Sequence, residues 1–132
     1  MIDGAGGLLA RKLGITEGSV VALLDVPDEI SLELPPGVKV KRRAQGRADV
    51  VLACFTSLSR LERRLDALSP MIFPAGGLWV SWPKRTSGIP TNLSDLVVRR
   101  SVLDRGLVDN KVCAVDETWS ALRFVWRLAD RR

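Results

Sequence analysis

The chain of 132 residues is 46% hydrophobic and 27% charged, which suits one domain with its own core and is too short for two of ordinary size. It holds neither histidine nor tyrosine, and this excludes Ser-His-Asp and Cys-His triads, histidine metal ligation and histidine acid–base chemistry near neutral pH. Its 20 Lys and Arg outweigh 15 Asp and Glu to give +5, a balance that favours anionic partners yet is also a common route to solubility.

The first predicted element is a short helix over residues 8–13, apolar at helical spacing and closed by Gly14. Residues 19–26 are a continuous apolar run, the pattern of a strand buried on both faces of a parallel sheet. Residues 27–34 leave room for at most two helical turns before Pro35-Pro36-Gly37, after which Val38 and Val40 alternate with Lys39 and Lys41 as in a charge-guarded edge strand. A second continuous strand covers 49–55. Ser59 and Glu62 have capping-box spacing, and Leu61, Leu65, Leu68 and Ile72 continue one helical face while Arg60, Arg63, Arg64 and Asp66 take the other. Gly76-Gly77 introduces a strand over 78–82. Asn92 is read as the cap of a helix with Asp95 in its first turn, Leu93, Leu96, Val97 and Leu103 facing inward, and Gly106 at its end. The last strands, 108–115 and 120–128, are joined by residues 116–119, too few for a helical crossover, so they pair as a hairpin.

Strands alternating with helices predict a three-layer, Rossmann-like α/β domain over residues 1–132. Its sheet should have five or six strands, mostly parallel, with an antiparallel strand near the C-terminal edge. Cys54 and Cys113 fall inside apolar runs and read as reduced, buried thiols rather than a disulfide or metal site. No apolar run approaches the roughly 20 residues of a membrane span, and the N-terminus lacks a signal-peptide pattern, so a cytoplasmic location away from membranes is expected.

Strand, helix, Gly76-Gly77, strand, helix, strand and antiparallel strand resemble the second half of class I S-adenosylmethionine (SAM)-dependent methyltransferases, where Pro-x-Gly-Gly introduces a strand in the same position. Residues 6–18, 76–84, 87–88, 91–93 and 111–116 are similar to a small uncharacterised bacterial family, a domain of unknown function, which implies a fold and no activity. The first half departs from the methyltransferase pattern. Its first strand ends in Asp25-Val26-Pro27-Asp28-Glu29-Ile30, with no glycine where the cofactor turn belongs, and Lys41-Arg42-Arg43 stands where an acidic ribose ligand is expected. Residues 43–48 are too few for a strand-helix unit, so at least one such unit of that family is absent.

Three sets of residues are candidates for function. Lys84, Arg85, Thr86, Ser87, Gly88 and Asn92 follow a strand end and lead into a helix, where cations, hydroxyls and free N–H groups suit a phosphate or carboxylate. Asp25, Trp82, Asp116 and Trp119 fall at strand ends and are candidate pocket walls, Asp25, Asp28, Glu29 and Asp116 also offering carboxylates for acid–base work or a cation. Lys39, Lys41, Arg42, Arg43 and Arg47 form a basic segment for nucleic-acid phosphates, although no aromatic residues interleave with it to stack bases. Ordinary capping, turn and solvated-surface roles compete with each reading. The expected function is a non-catalytic domain holding an anionic small molecule at the C-terminal edge of the sheet, with no cofactor or metal implied. The alternatives are a nucleic-acid or protein-interaction module using 39–47 and a residual SAM-dependent methyltransferase. The strand around 38–40 and the far C-terminal edge both offer surfaces to a second copy.

Overall fold

A computed structural model describes residues 7–131; Gly6, first residue of one matched segment, lies outside them. Helix α1 (Leu8–Lys12) precedes strands β1 (Val20–Leu24), β2 (Lys39–Lys41) and β3 (Val50–Cys54). Helix α2 (Leu58–Leu68), strand β4 (Gly77–Pro83), helix α3 (Asp95–Leu103) and strands β5 (Leu107–Ala114) and β6 (Trp119–Trp126) complete the order. The six strands lie as β2-β1-β3-β4-β6-β5, with β2, β1, β3 and β4 parallel. Strand β6 runs antiparallel to both β4 and β5. The mixed, mostly parallel sheet expected from the short 116–119 link is therefore present.

Continuous apolar strands are explained by burial on both faces. Ala22, Val51, Leu78, Val80 and Phe124 pack with α2 and α3, whereas Val21, Leu52, Trp79 and Ala121 pack with Ala10, Leu13 and Ile15 beside α1. Trp79 Nε1 donates to the Leu13 carbonyl at 3.0 Å, fixing the end of α1 against the sheet. This second outer layer is thin, because residues 27–34 form turns and extended chain rather than the short helix the sequence allowed. Ile30, Leu32 and Leu34 cover the sheet in its place. Extended chain spans more sheet per residue than a helix and suits a segment interrupted by Pro27, Pro35 and Pro36.

Two helix starts differ from expectation. α2 is capped by Ser57, whose side chain accepts from Arg60 N at 3.3 Å, so Ser59 and Glu62 form no capping box. α3 is capped by Ser94, which accepts from Val97 N at 3.2 Å, and Asn92 instead accepts from Leu58 N at 2.9 Å. Starting α3 at Asp95 also rotates its buried face to Val98, Ser101 and Val102, leaving Leu96 57% exposed and Val97 and Leu103 half-buried. Strand β6 stops at Trp126, and Leu128 is exposed beyond it. Gly76 is required by close approach: a Cβ there would stand 2.8 Å from the Ala48 carbonyl oxygen and 3.0 Å from that of Asp49, backbone atoms that cannot swing aside.

Candidate functional site

Two recesses lie at the C-terminal ends of the parallel strands. The larger, about 740 Å³, is lined by Trp82 and Pro83 of β4, Lys84, Arg85, residues 88–95, and Val112 and Ser120 of the hairpin. Its loop is built by its own side chains. Ser87 Oγ donates to the Lys84 carbonyl at 2.7 Å and accepts from Ile89 N at 3.2 Å, while Gly88 adopts φ 80°. Thr91 Oγ1 donates to the Thr56 carbonyl at 2.6 Å, and Asn92 joins the start of α2, so the loop is stitched to the end of β3.

These bonds assign structural duties to several of the predicted anion ligands. The Ser87 hydroxyl and Asn92 Oδ1 are engaged within the fold. Lys84 Nζ donates to the Asp116 carbonyl at 2.8 Å, a neutral acceptor, and among the described residues it forms no ion pair with a carboxylate. Arg85, Thr86 and Gly88 are exposed. Asp95, also lining the recess, pairs with Arg99 at 3.5 Å.

The smaller recess, about 300 Å³, lies between the ends of β1 and β3, lined by Asp25, Pro27, Cys54, Phe55, Thr56, Arg60 and Trp119. The order β2-β1-β3 makes this the point where the chain reverses its direction of travel across the sheet, the usual ligand position in open α/β folds. Asp25 takes φ 54°, the left-handed region, and its carboxylate stands 3.6 Å from the Arg60 guanidinium, both side chains more than half exposed. Burial pushes the Cys54 thiol up to about 12, with Asp25 and Asp116 adding to the effect. Trp119 is 5% exposed, and its Nε1 has no hydrogen-bond partner among the described residues.

The predicted pocket-wall residues thus separate. Asp25 and Trp119 share the smaller recess, Trp82 lines the larger, and Asp116 lines neither because its carboxylate caps the hairpin turn, accepting from Thr118 N at 2.8 Å and Trp119 N at 2.7 Å. Cys54 and Thr56 were not predicted as site residues; the pairing of β1 with β3 brings them to Asp25. In the basic segment, Lys41 Nζ donates to the carbonyls of Arg47 at 2.7 Å and Gln45 at 3.3 Å, while Lys39, Arg42, Arg43 and Arg47 are exposed. Lys41, Arg42 and Arg43 line a shallow groove with Gln45 and Gly46. Among the described residues, no group of three ligating side chains could hold a metal ion, and no helix is long and apolar enough to cross a membrane.

No family model matches the chain, and no curated protein matches it. Solved structures are similar in fold. A SAM dependent methyltransferase from Aquifex aeolicus superposes with TM-score 0.59 at 16% identity, over 88% of this chain and 86% of that one. A ribosomal protein methylase from Lactobacillus delbrueckii subsp. bulgaricus gives 0.57 at 10% identity, over 91% and 75%. The magnesium protoporphyrin IX methyltransferase of Synechocystis PCC 6803 with bound SAH gives 0.54 at 12% identity, over 90% and 78%. The chain therefore has the Rossmann-like fold of class I methyltransferases, reduced to six strands.

The residues present do not fit that fold's cofactor. After β1 comes a turn closed by Ile30 N donating to the Pro27 carbonyl at 3.1 Å, with Ile30 buried in the core, rather than a glycine turn opening a helix. The recess there, at about 300 Å³, lies at the bottom of the roughly 300–1,000 Å³ range for drug-sized ligands.

Proposed function

We propose that this domain binds a small anionic molecule in the cleft beyond β4 and has no catalytic role of its own. The observation that carries this reading is a cleft of about 740 Å³ whose two cations, Lys84 and Arg85, form no ion pair among the described residues. A phosphate or carboxylate would gain charge-assisted hydrogen bonds from Arg85 and from exposed Thr86, the stronger kind of such bonds. The non-catalytic part is supported by a sequence without histidine and by a Cys54 thiol held neutral at physiological pH. Calorimetric titration with inorganic phosphate, phosphorylated sugars and dicarboxylates provides the test. Arg85→Ala should weaken binding about tenfold, equivalent to about 1.4 kcal/mol, without altering thermal stability. Equal affinity in wild type and Arg85→Ala, or no binding by any member, would end this reading. Lys84→Ala is a poorer probe, because Nζ also supports the hairpin turn.

A second reading has one observation in its favour: Lys39, Arg42, Arg43 and Arg47 are exposed on or beside edge strand β2. A nucleic-acid or acidic-protein partner on that edge would bind with a steep loss in salt and depend on Arg42 and Arg43. Residual methyl transfer has only the fold behind it.

A further inference from the structure

Cations converge at the end of the sheet opposite both recesses. Arg123 of β6 pairs in register with Trp79 of β4 on one side and Lys111 of β5 on the other, so its side chain rises on the sheet face that α1 covers. Its guanidinium lies over Gly77, the first residue of β4: a Cβ there would touch Nε and stand 2.8 Å from Cζ and Nη2. Gly77 precedes Leu78, which pairs with Phe124, so the Arg123 side chain extends along β6 towards Trp126. Arg131 is anchored at that same strand end, its Nε donating to the Trp126 carbonyl at 2.9 Å. Both arginines are half-buried, and burial together with the charge of Arg131 lowers the Arg123 pKa from its ordinary value. Among the described residues neither guanidinium forms an ion pair, Arg123 donates no hydrogen bond, and its nitrogens are reachable from solvent. A methionine would cover Gly77 without repelling its neighbours; the arginines repel each other until an anion bridges them.

Two planar forks with an ammonium group beside them match an oxyanion of several oxygens and more than one charge. We infer that Arg123 and Arg131, with Lys111 beside them, hold the phosphate group of a small phosphate compound at the N-terminal end of β4. No bond is made or broken. Arg85 lies beyond the opposite, C-terminal end of that strand, so this inference and the reading of the cleft fail separately.

The test is the arginine Nε–H region of a ¹⁵N–¹H spectrum of the folded protein, recorded at about pH 7, where a phosphate monoester carries about −1.5 to −2 charges. Inorganic phosphate and methyl phosphate are titrated at constant ionic strength, with acetate and chloride as single-charge controls. The expected result is a saturable shift of the Arg123 Nε–H signal with at least one phosphate probe and with neither control. A response to inorganic phosphate identifies the free ion as a sufficient ligand, and a response to methyl phosphate alone identifies an esterified one. Arg131→Gln should weaken the response about tenfold and Lys111→Ala about threefold, while Arg85→Ala should leave it unchanged. Arg123→Met assigns the signal and keeps a flexible chain over Gly77; Lys111 is exposed, so Lys111→Ala preserves the fold and keeps the test decisive whatever Arg123→Met does. No saturable shift with either phosphate overturns the inference, as does an equal shift with acetate, a shift indifferent to Arg131 and Lys111, or one that disappears with Arg85→Ala.

Discussion

At the scale of single residues, Cys54 shows how position sets chemistry. It was legible as a buried thiol because it closes a continuous apolar run, but its neighbours Asp25 and Asp116 come from two distant strand ends. Together with burial they hold its ionisation near 12, against about 8.5 for an unfolded cysteine. The folded pKa is the higher one, so its contribution to stability is complete below about pH 8 and declines as pH rises toward 12. Between those limits the unfolded chain releases a proton that the folded chain keeps. The stability advantage of the wild type over Cys54→Ala should therefore shrink by about 2 kcal/mol between about pH 7.5 and about pH 10. Urea unfolding at the two pH values measures this, and an unchanged advantage would mean that the thiol ionises freely within the fold.

At the scale of elements, the existence of α1, α2 and α3 was readable, and so was the start of α1 at Leu8, but the first residues of α2 and α3 were not. Ser59 and Glu62 have the better local signal, yet Ser57 caps α2 because β3 ends at Cys54 and Asn92 reaches back to Leu58 N. Contacts made across 34 residues override a favourable local spacing. Ser57→Ala should cost about 1 kcal/mol in chemical denaturation, whereas Ser59→Ala should stay within about 0.5 kcal/mol. The reverse order would restore the capping box. A similar displacement explains α3: moving its start from Asn92 to Ser94 turns a helical face by two residues, and Val98 takes the buried position that Leu96 was expected to hold.

At the scale of the whole molecule, the fold is similar to that of a SAM dependent methyltransferase, while the turn after β1 is closed by Ile30 N donating to the Pro27 carbonyl and holds no glycine. SAM and its demethylated product should consequently leave the thermal midpoint unmoved at concentrations where binding at 100 times the dissociation constant would add about 2.7 kcal/mol. A saturable rise would show that the cofactor finds a place despite Pro27 and Ile30. The sequence by itself determined the strands, the mixed sheet and the thiol state of both cysteines, because continuous apolar runs, glycine turns and a link too short for a crossover are local constraints on the chain. Only the tertiary structure decided which strand ends meet. The order β2-β1-β3-β4-β6-β5 brings Asp25, Cys54, Arg60 and Trp119 to one recess from positions up to 94 residues apart, and it puts Trp82 in another. Strand adjacency is set by packing two apolar faces at once, and that choice leaves no signature in the spacing of any one segment.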